Sequence, residues 1–345
     1  MSGTGPADGA RPAAGAGPAD AAAPPAAAVP TRMVVHALVR EDGTVDGAEL
    51  YEVAGLLGMT AQQVRLCVKR LVAEGRFGLE GRGRRSVLRL TAAGAGSGSG
   101  AGAGPEPAAL VPEVEFVRHA YRQDRGLEPW DGVWHAFAFA VPESARAARD
   151  ALRDALTGLG AAPVQGGLYV TPNAIGPYVR ARAAELGVAQ ALSCLSTRDL
   201  AVGGTADPVA LAARLWPLAE IADRYEALRT LAEPWSGPSA PDGSGAAAGA
   251  PGGSAAATAA TPPAPAAGGA VVLAQAVALA AALSAAMVPD PLLPPELLPQ
   301  PWPGTVTRET AARAWDRLRA AAPAGGPRLF RLYGDALSGP GPGGL

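Results

Sequence analysis

The stretch TAQQVRLCVKRLVAEGRFGLEGRGRRSVLRL, residues 60–90, decides the fold of the N-terminal part of this chain. Thr60 followed three places later by Gln63 is a capping box, in which each residue's side chain meets the other's backbone N–H, and Met59 with Val64 supplies a hydrophobic staple. The helix that starts there repeats apolar residues at Val64, Cys67, Val68, Leu71 and Val72, the one-sided spacing of a helix packed on a core. Its other faces carry Gln62, Gln63, Arg65, Lys69 and Arg70. Gly75 closes the helix. Two short strands, about 77–79 and 86–90, then flank the turn Glu80-Gly81-Arg82-Gly83-Arg84-Arg85, which reads as a wing.

The upstream residues agree. Asp46 and Glu49 form a second capping box, and Leu50, Val53, Ala54 and Leu57 form a second helical stripe ended by Gly58. Two helices meeting at so tight a junction resemble a helix-turn-helix, with residues 31–39 as the supporting first helix. Between Met59 and Thr91 the chain holds eight Lys or Arg against Glu74 and Glu80, a local excess of six positive charges in a chain of net charge −2. Cations on a helix and wing release counterions from phosphate, and Gln, Arg and Lys in a major groove read base edges. Thr60, Gln62, Gln63, Arg65, Lys69 and Arg70 on the helix and Arg82, Arg84 and Arg85 on the wing are therefore the candidate contacts to double-stranded DNA. A winged helix used only for protein contacts, with solvated arginines, is the bland alternative. The coincidence of cations on both helix and wing weighs against it.

With 345 residues, 48% of them hydrophobic, two or three domains are expected. Residues 1–30, nearly all Ala, Gly and Pro, read as an unstructured tail and lack the basic start and apolar core of a signal peptide. Runs of Ala, Gly, Ser and Pro bury too little to offset the entropy of ordering, so 92–109 reads as a flexible linker, 236–269 as a low-complexity insert and 323–345 as a tail. Cys67 and Cys194 stand far apart with no CxxC and no clustered His, which excludes a disulfide framework and suggests no metal site. A small buried hydrophobe is the expected role of Cys67. Residues 270–289 are uncharged, yet rich in Ala and without flanking Lys or Arg, so a buried bundle helix is expected there rather than a membrane span. The expected compartment is a reducing cytoplasm.

Residues 110–204 alternate strand and helix signals. Strands are expected at 134–141, 164–170 and 190–197, and helices at 142–160 and 177–186, the pattern of a ferredoxin-like α+β domain with one strand not visible. From Asp207, an N-cap before Pro208, one helix is expected to run through Leu211, Leu215, Leu218 and Ile221 despite Pro217. It opens a mostly helical C-terminal domain over 205–322. The fold class is thus α+β and multidomain, with an N-terminal winged helix over 31–91.

Three strings occur in order: GMTAQQVRLCVKRLVAEGRF at 58–77 with GAEL before it and GRRSVLRLT after it, PWDGVWHAFAFAVPESARAARDALRDALTGLG at 129–160, and DPLLPPELLPQPWPG at 290–304. Together they resemble the PaaX-like regulators, repressors of phenylacetic acid degradation, over roughly residues 30–322. The resemblance implies a homodimeric transcriptional repressor with a winged helix, a central domain similar to the CRISPR-associated second protein, and a helical C-terminal domain. It also implies that an aryl-CoA thioester, phenylacetyl-CoA or another acyl-CoA, releases the operator of an aromatic-acid catabolic operon. The chain departs from the expected pattern at 270–286, which is bare of Arg where a helix carrying basic or polar groups is expected.

A CoA ester needs cations for its phosphates and an apolar pocket for its acyl group. Arg118, Arg122 and Arg125 near Trp130 and Trp134 are the candidate effector contacts; tryptophans in a core beside solvated arginines are the bland alternative. Trp302 between prolines reads as a packed corner, and Asp290 as a turn before Pro291. Two other function classes compete. A metal-dependent nuclease built on the central domain would use Asp131, but Asp131-Gly132 is also a turn signal, no second ligand is near, and His119 and His135 lack a Ser or Cys partner. An architectural DNA-binding protein would keep the basic face and lack an effector. The expectation is a regulator without enzymatic activity, cofactor or bound metal.

Overall fold

A computed structural model describes residues 29–95, 122–124, 126–127, 129–237 and 268–337. Helix α1 (Thr31–Ala37), strand β1 (Thr44–Asp46), helices α2 (Gly47–Leu56) and α3 (Ala61–Ala73), and strands β2 (Phe77–Glu80) and β3 (Val87–Leu90) form the N-terminal unit. Its antiparallel sheet has the order β1-β3-β2, with Leu88 opposite both Val45 and Leu79. Val34, Val35, Leu38, Val45, Leu50, Val53, Val64, Leu71, Phe77 and Leu88 are shut away from solvent between helices and sheet. Strand β1 was not expected. Three residues are too few to show a period of two, and only pairing with β3 holds them extended.

Gly58 makes the α2–α3 turn. It sits at φ +77°, where its N–H reaches Gly55 O while the N–H of Met59 reaches Ala54 O, so the last carbonyls of α2 are satisfied in a Schellman arrangement. After β3, Ala92–Ala95 adds one turn, α4, whose Gly94 N–H donates to Thr91 Oγ1. Part of the expected linker is therefore helical, and 96–109 lies outside the described residues. Of the expected tail, Val29 packs on the core and Pro30 caps α1; 1–28 lies outside.

The middle unit runs β4 (Trp134–Phe139), α5 (Arg146–Gly158), β5 (Ala162–Gln165), β6 (Leu168–Thr171), α6 (Gly176–Glu185), β7 (Leu192–Thr197). Its antiparallel sheet has the order β5-β6-β4-β7, the arrangement of a ferredoxin-like β-α-β-β-α-β unit. The strand missing from the sequence reading is here: what read as one strand over 164–170 is a hairpin, β5 and β6, turning on Gly166-Gly167. Gly166 has φ +54°, and a Cβ on Gly167 would lie 2.3 Å from Phe139 O. Apolar Val164 and Val170 on either side hid a turn that the Gly pair signalled. Phe137, Leu152, Leu156, Tyr169, Val179 and Ala183 fill the core beneath α5 and α6. The opposite face presents Trp134 and Ala162 to the C-terminal helices.

Five helices follow: α7 (Pro208–Leu215), α8 (Leu218–Ser236), α9 (Gly269–Met287), α10 (Pro303–Ala321) and α11 (Leu329–Leu337). The single helix expected through Pro217 is two. Trp216 is extended at φ −121°, ψ 147°, because a residue before proline is pushed out of the helical region. Ser236 ends α8 and Gly269 begins α9; 238–267 lies outside the described residues. Helix α9 has the length and apolar character to cross a membrane, but most of it is buried against α2, α8 and α10.

The expected tail over 323–345 is corrected for its first part. Helix α11 buries Phe330 and Tyr333 against Trp315, with ring centroids 5.4 and 4.9 Å apart. The N–H of Arg328 donates to Val39 O at 2.9 Å, and Arg331 Nε pairs with Glu41 at 2.9 Å. These contacts join the C-terminal end of the chain to the loop after α1, so one core cluster runs through the N-terminal unit and the C-terminal helices.

Candidate nucleic-acid interface

The capping box of α3 is complete. Gln63 N–H donates to Thr60 Oγ1 at 3.2 Å, and Thr60 N–H donates to Gln63 Oε1 at 2.7 Å. Gln63 was expected to read bases, yet its amide oxygen is committed to the cap. Asp46 accepts from Glu49 N–H at 2.9 Å, but Glu49 turns to Arg40 instead of closing a second box.

One turn further along α3, Arg65 Nη1 donates to Gln62 Oε1 at 2.7 Å, so these two side chains stand as a pair on the outer face. Lys69 and Arg70 are exposed beside them. The other side of α3 buries Val64, Val68 and Leu71 and half-buries Cys67 and Val72, as expected. Burial raises the pKa of the Cys67 thiol, which suits an inert packing role.

Between β2 and β3 the loop 81–86 holds a short 3-10 turn, Gly83–Arg85, with Arg82, Arg84 and Arg85 exposed. Ser86 fixes its base: its hydroxyl donates to Gly83 O at 2.6 Å and its carbonyl accepts Gly47 N–H at 2.8 Å. A Cβ at Gly47 would stand 2.6 Å from Ser86 O, so only glycine lets α2 start against the loop. Tyr51, Arg65, Lys69, Val72 and Arg82 line a cleft of about 290 Å³ between α2, α3 and this loop. The acidic residues of the stretch are neutralised locally, Glu74 by Arg32 at 2.9 Å and Glu80 by Arg89 at 2.8 Å. Among the described residues no carboxylate pairs with Arg82, Arg84 or Arg85, so their charge faces outward.

Of the effector candidates, the described residues include Arg122, Trp130 and Trp134. Arg118 and Arg125 lie outside the described residues. Arg122 and Trp130 are half-buried, and Trp130 Nε1 donates to Val133 O at 3.1 Å. Trp134 is fully buried, edge-on to Trp130 at 5.4 Å and stacked on Trp216 at 6.4 Å, so no face of its ring is left for an acyl group. That corrects its assignment: it cements the central sheet to α7. Among the described residues, the nearby cleft of about 660 Å³ is lined by Gln123, Asp124, Pro129, Val209 and Glu296 and by no Lys or Arg. Asp131 accepts Val133 N–H at 2.9 Å as a turn residue. His135 Nδ1 lies 3.1 Å from Ser196 Oγ on the sheet.

Sequence reasoning missed a buried polar cluster. Arg308 forks onto Asp124, its Nη1 donates to Tyr225 Oη at 2.7 Å, and Tyr225 donates in turn to Asp290 Oδ2 at 2.5 Å. Asp290 also accepts Leu292 N–H at 2.8 Å, making the turn expected before Pro291, and Trp302 packs edge-on to Tyr225 as the expected corner. Burial raises the pKa of Asp290, with Arg308 and Tyr225 pulling the other way, and lifts that of Tyr225 well above 10. No local signal marked Arg308, because its partners are brought in by three other segments.

No curated protein matches the chain. Among solved structures it is similar to the uncharacterized protein Rv0674 from Mycobacterium tuberculosis, with 20% identity, 79% of this chain and 90% of that chain covered, and a TM-score of 0.39. The family model of the PaaX protein central Cas2-like domain matches residues 127–210, the span that runs from the approach to β4 into α7. Residues 127–210 of this chain are thus similar to the PaaX protein central Cas2-like domain.

Proposed function

We propose that the chain is a transcriptional repressor of a phenylacetate-type aromatic-acid catabolic operon. Residues 31–91 act as a winged helix, with α3 in the major groove and the 81–86 loop on the flanking backbone. The observation that carries this reading is the outward presentation of Arg65, Lys69, Arg70, Arg82, Arg84 and Arg85 on α3 and the adjoining loop, in a chain whose net charge is −2. One such unit contacts little DNA, so a homodimer on an inverted repeat supplies the remaining affinity. An aryl-CoA thioester, phenylacetyl-CoA first, is the proposed releasing effector, and it acts in the cytoplasm. A 100-fold release requires about 2.7 kcal/mol of differential binding between the DNA-free and DNA-bound forms.

The test starts from genomic fragments captured by the purified full chain. Anisotropy titrations on the recovered operator at several salt concentrations should show Arg84→Ala weakening all sequences and lowering the salt slope by about one unit. Gel shifts with phenylacetate, CoA and phenylacetyl-CoA should show release by the thioester alone. Normal binding by the loop variants would sink the assignment of the loop arginines to DNA, and failure of the full chain to capture any fragment would sink the DNA reading; no release by any of the three would remove the effector while leaving DNA binding standing.

A further inference from the structure

Leu66 is the anomaly of the proposed DNA-reading helix. It lies roughly 160–220° around α3 from Val64, Val68 and Leu71, since each residue turns the helix by about 100°. Its side chain is 46% exposed, so it belongs to no core. Its helical neighbours on that surface are Gln62 one turn before and Lys69 and Arg70 one turn after. A single exposed leucine is ordinary on a protein surface. This one, however, stands in the middle of the polar and cationic face that the proposed function places against base edges. Beside it, Arg65 and Gln62 are joined at 2.7 Å, while the amide oxygen of Gln63 is held by the cap. The base edges of a major groove offer hydrogen-bonding groups and one prominent apolar feature, the 5-methyl group of thymine.

Resting on the winged-helix reading, we propose that Leu66 selects a thymine by packing against its 5-methyl group, next to the base pair met by the Gln62–Arg65 pair. The leucine loses exposure only when that methyl is present, and cytosine would set an exocyclic amine near it without the methyl. Lys69 and Arg70 hold the phosphates on either side, which fixes how deep the side chain enters.

The test uses the full chain and a duplex selected by it from a random-sequence library. Each thymine of a half-site is replaced in turn by deoxyuridine, which removes the methyl group alone. At one position per half-site, wild-type affinity should fall about fourfold, equivalent to about 0.8 kcal/mol for one buried methyl. Leu66→Ala should bind the unmodified duplex with a comparable loss and be indifferent to deoxyuridine at that same position. Because Leu66 is exposed, its variant should unfold at the wild-type temperature. Three results would overturn the proposal with the DNA reading intact: no sensitive thymine, a Leu66→Ala protein as sensitive as wild type, or a changed oligomeric mass in the variant, which would place Leu66 at a protein contact. Failure to select any duplex would overturn the winged-helix reading and this inference with it.

Discussion

Arg308 holds Asp124 with both prongs of its guanidinium, Nε 2.8 Å from Oδ2 and Nη2 2.5 Å from Oδ1, although 184 positions separate them in the chain. Thr305 Oγ1 donates to the same carboxylate at 2.8 Å, so the segment that leads into the central unit is fastened to α10. The carboxylate of Asp290 lies 3.6 Å from Arg308, on its other side.

Replacing Arg308 with methionine leaves Asp124 and Asp290 buried without their cation, and a broken buried pair costs about 3–5 kcal/mol. Lysine should recover part of this, because it restores the charge but not the fork. Urea unfolding followed by circular dichroism reads both. A loss below about 1 kcal/mol for Arg308→Met would show that the cluster contributes little to the fold.

Gln63 and Gln62 adjoin in sequence and should fail differently. Gln63→Ala opens the capping box of α3 and should lower stability by about 1 kcal/mol while leaving base preference unchanged. Gln62→Ala should leave the melting temperature alone and relax selectivity at one base pair. Thermal melts and binding to a panel of single-base operator variants separate the two. A base-specific defect in Gln63→Ala with normal stability would reverse the assignment.

Tyr333 gives a pH test. Burial raises its phenol above the ordinary value of 10, opposed by the hydrogen bond with Ser284. A raised folded pKa means that the unfolded chain loses this proton first. The contribution to stability is therefore complete below about pH 10 and declines as pH rises beyond it, by about 1.4 kcal/mol at pH 11. Tyr333→Phe should cost about 1 kcal/mol at pH 8, from the lost hydrogen bonds, and the difference from wild type should close or reverse by pH 11. Unfolding curves that stay parallel through pH 11 would refute this. Tyr225, raised in the same direction, adds to the alkaline slope of both proteins.

The sequence by itself determined α2, α3 and their junction. Thr60, Gln63, Asp46 and Gly58 act on backbone groups within five residues, so their effect does not depend on the rest of the chain. It also determined that Arg65, Lys69, Arg70, Arg82, Arg84 and Arg85 would be exposed, because the apolar period of α3 and the Gly-rich turn leave them nowhere else to go. Tertiary structure decided what depends on distant partners. Strand β1 exists because β3 pairs with it, and α11 because Trp315 covers Phe330 and Tyr333. Trp134 became core once Trp216 stacked on it, and Arg308 became buried once Asp124, Tyr225 and Asp290 surrounded it. Capping and periodicity are short-range and can be read along the chain. Burial and ion pairing are set by which segments meet, and that is fixed only when the whole core closes.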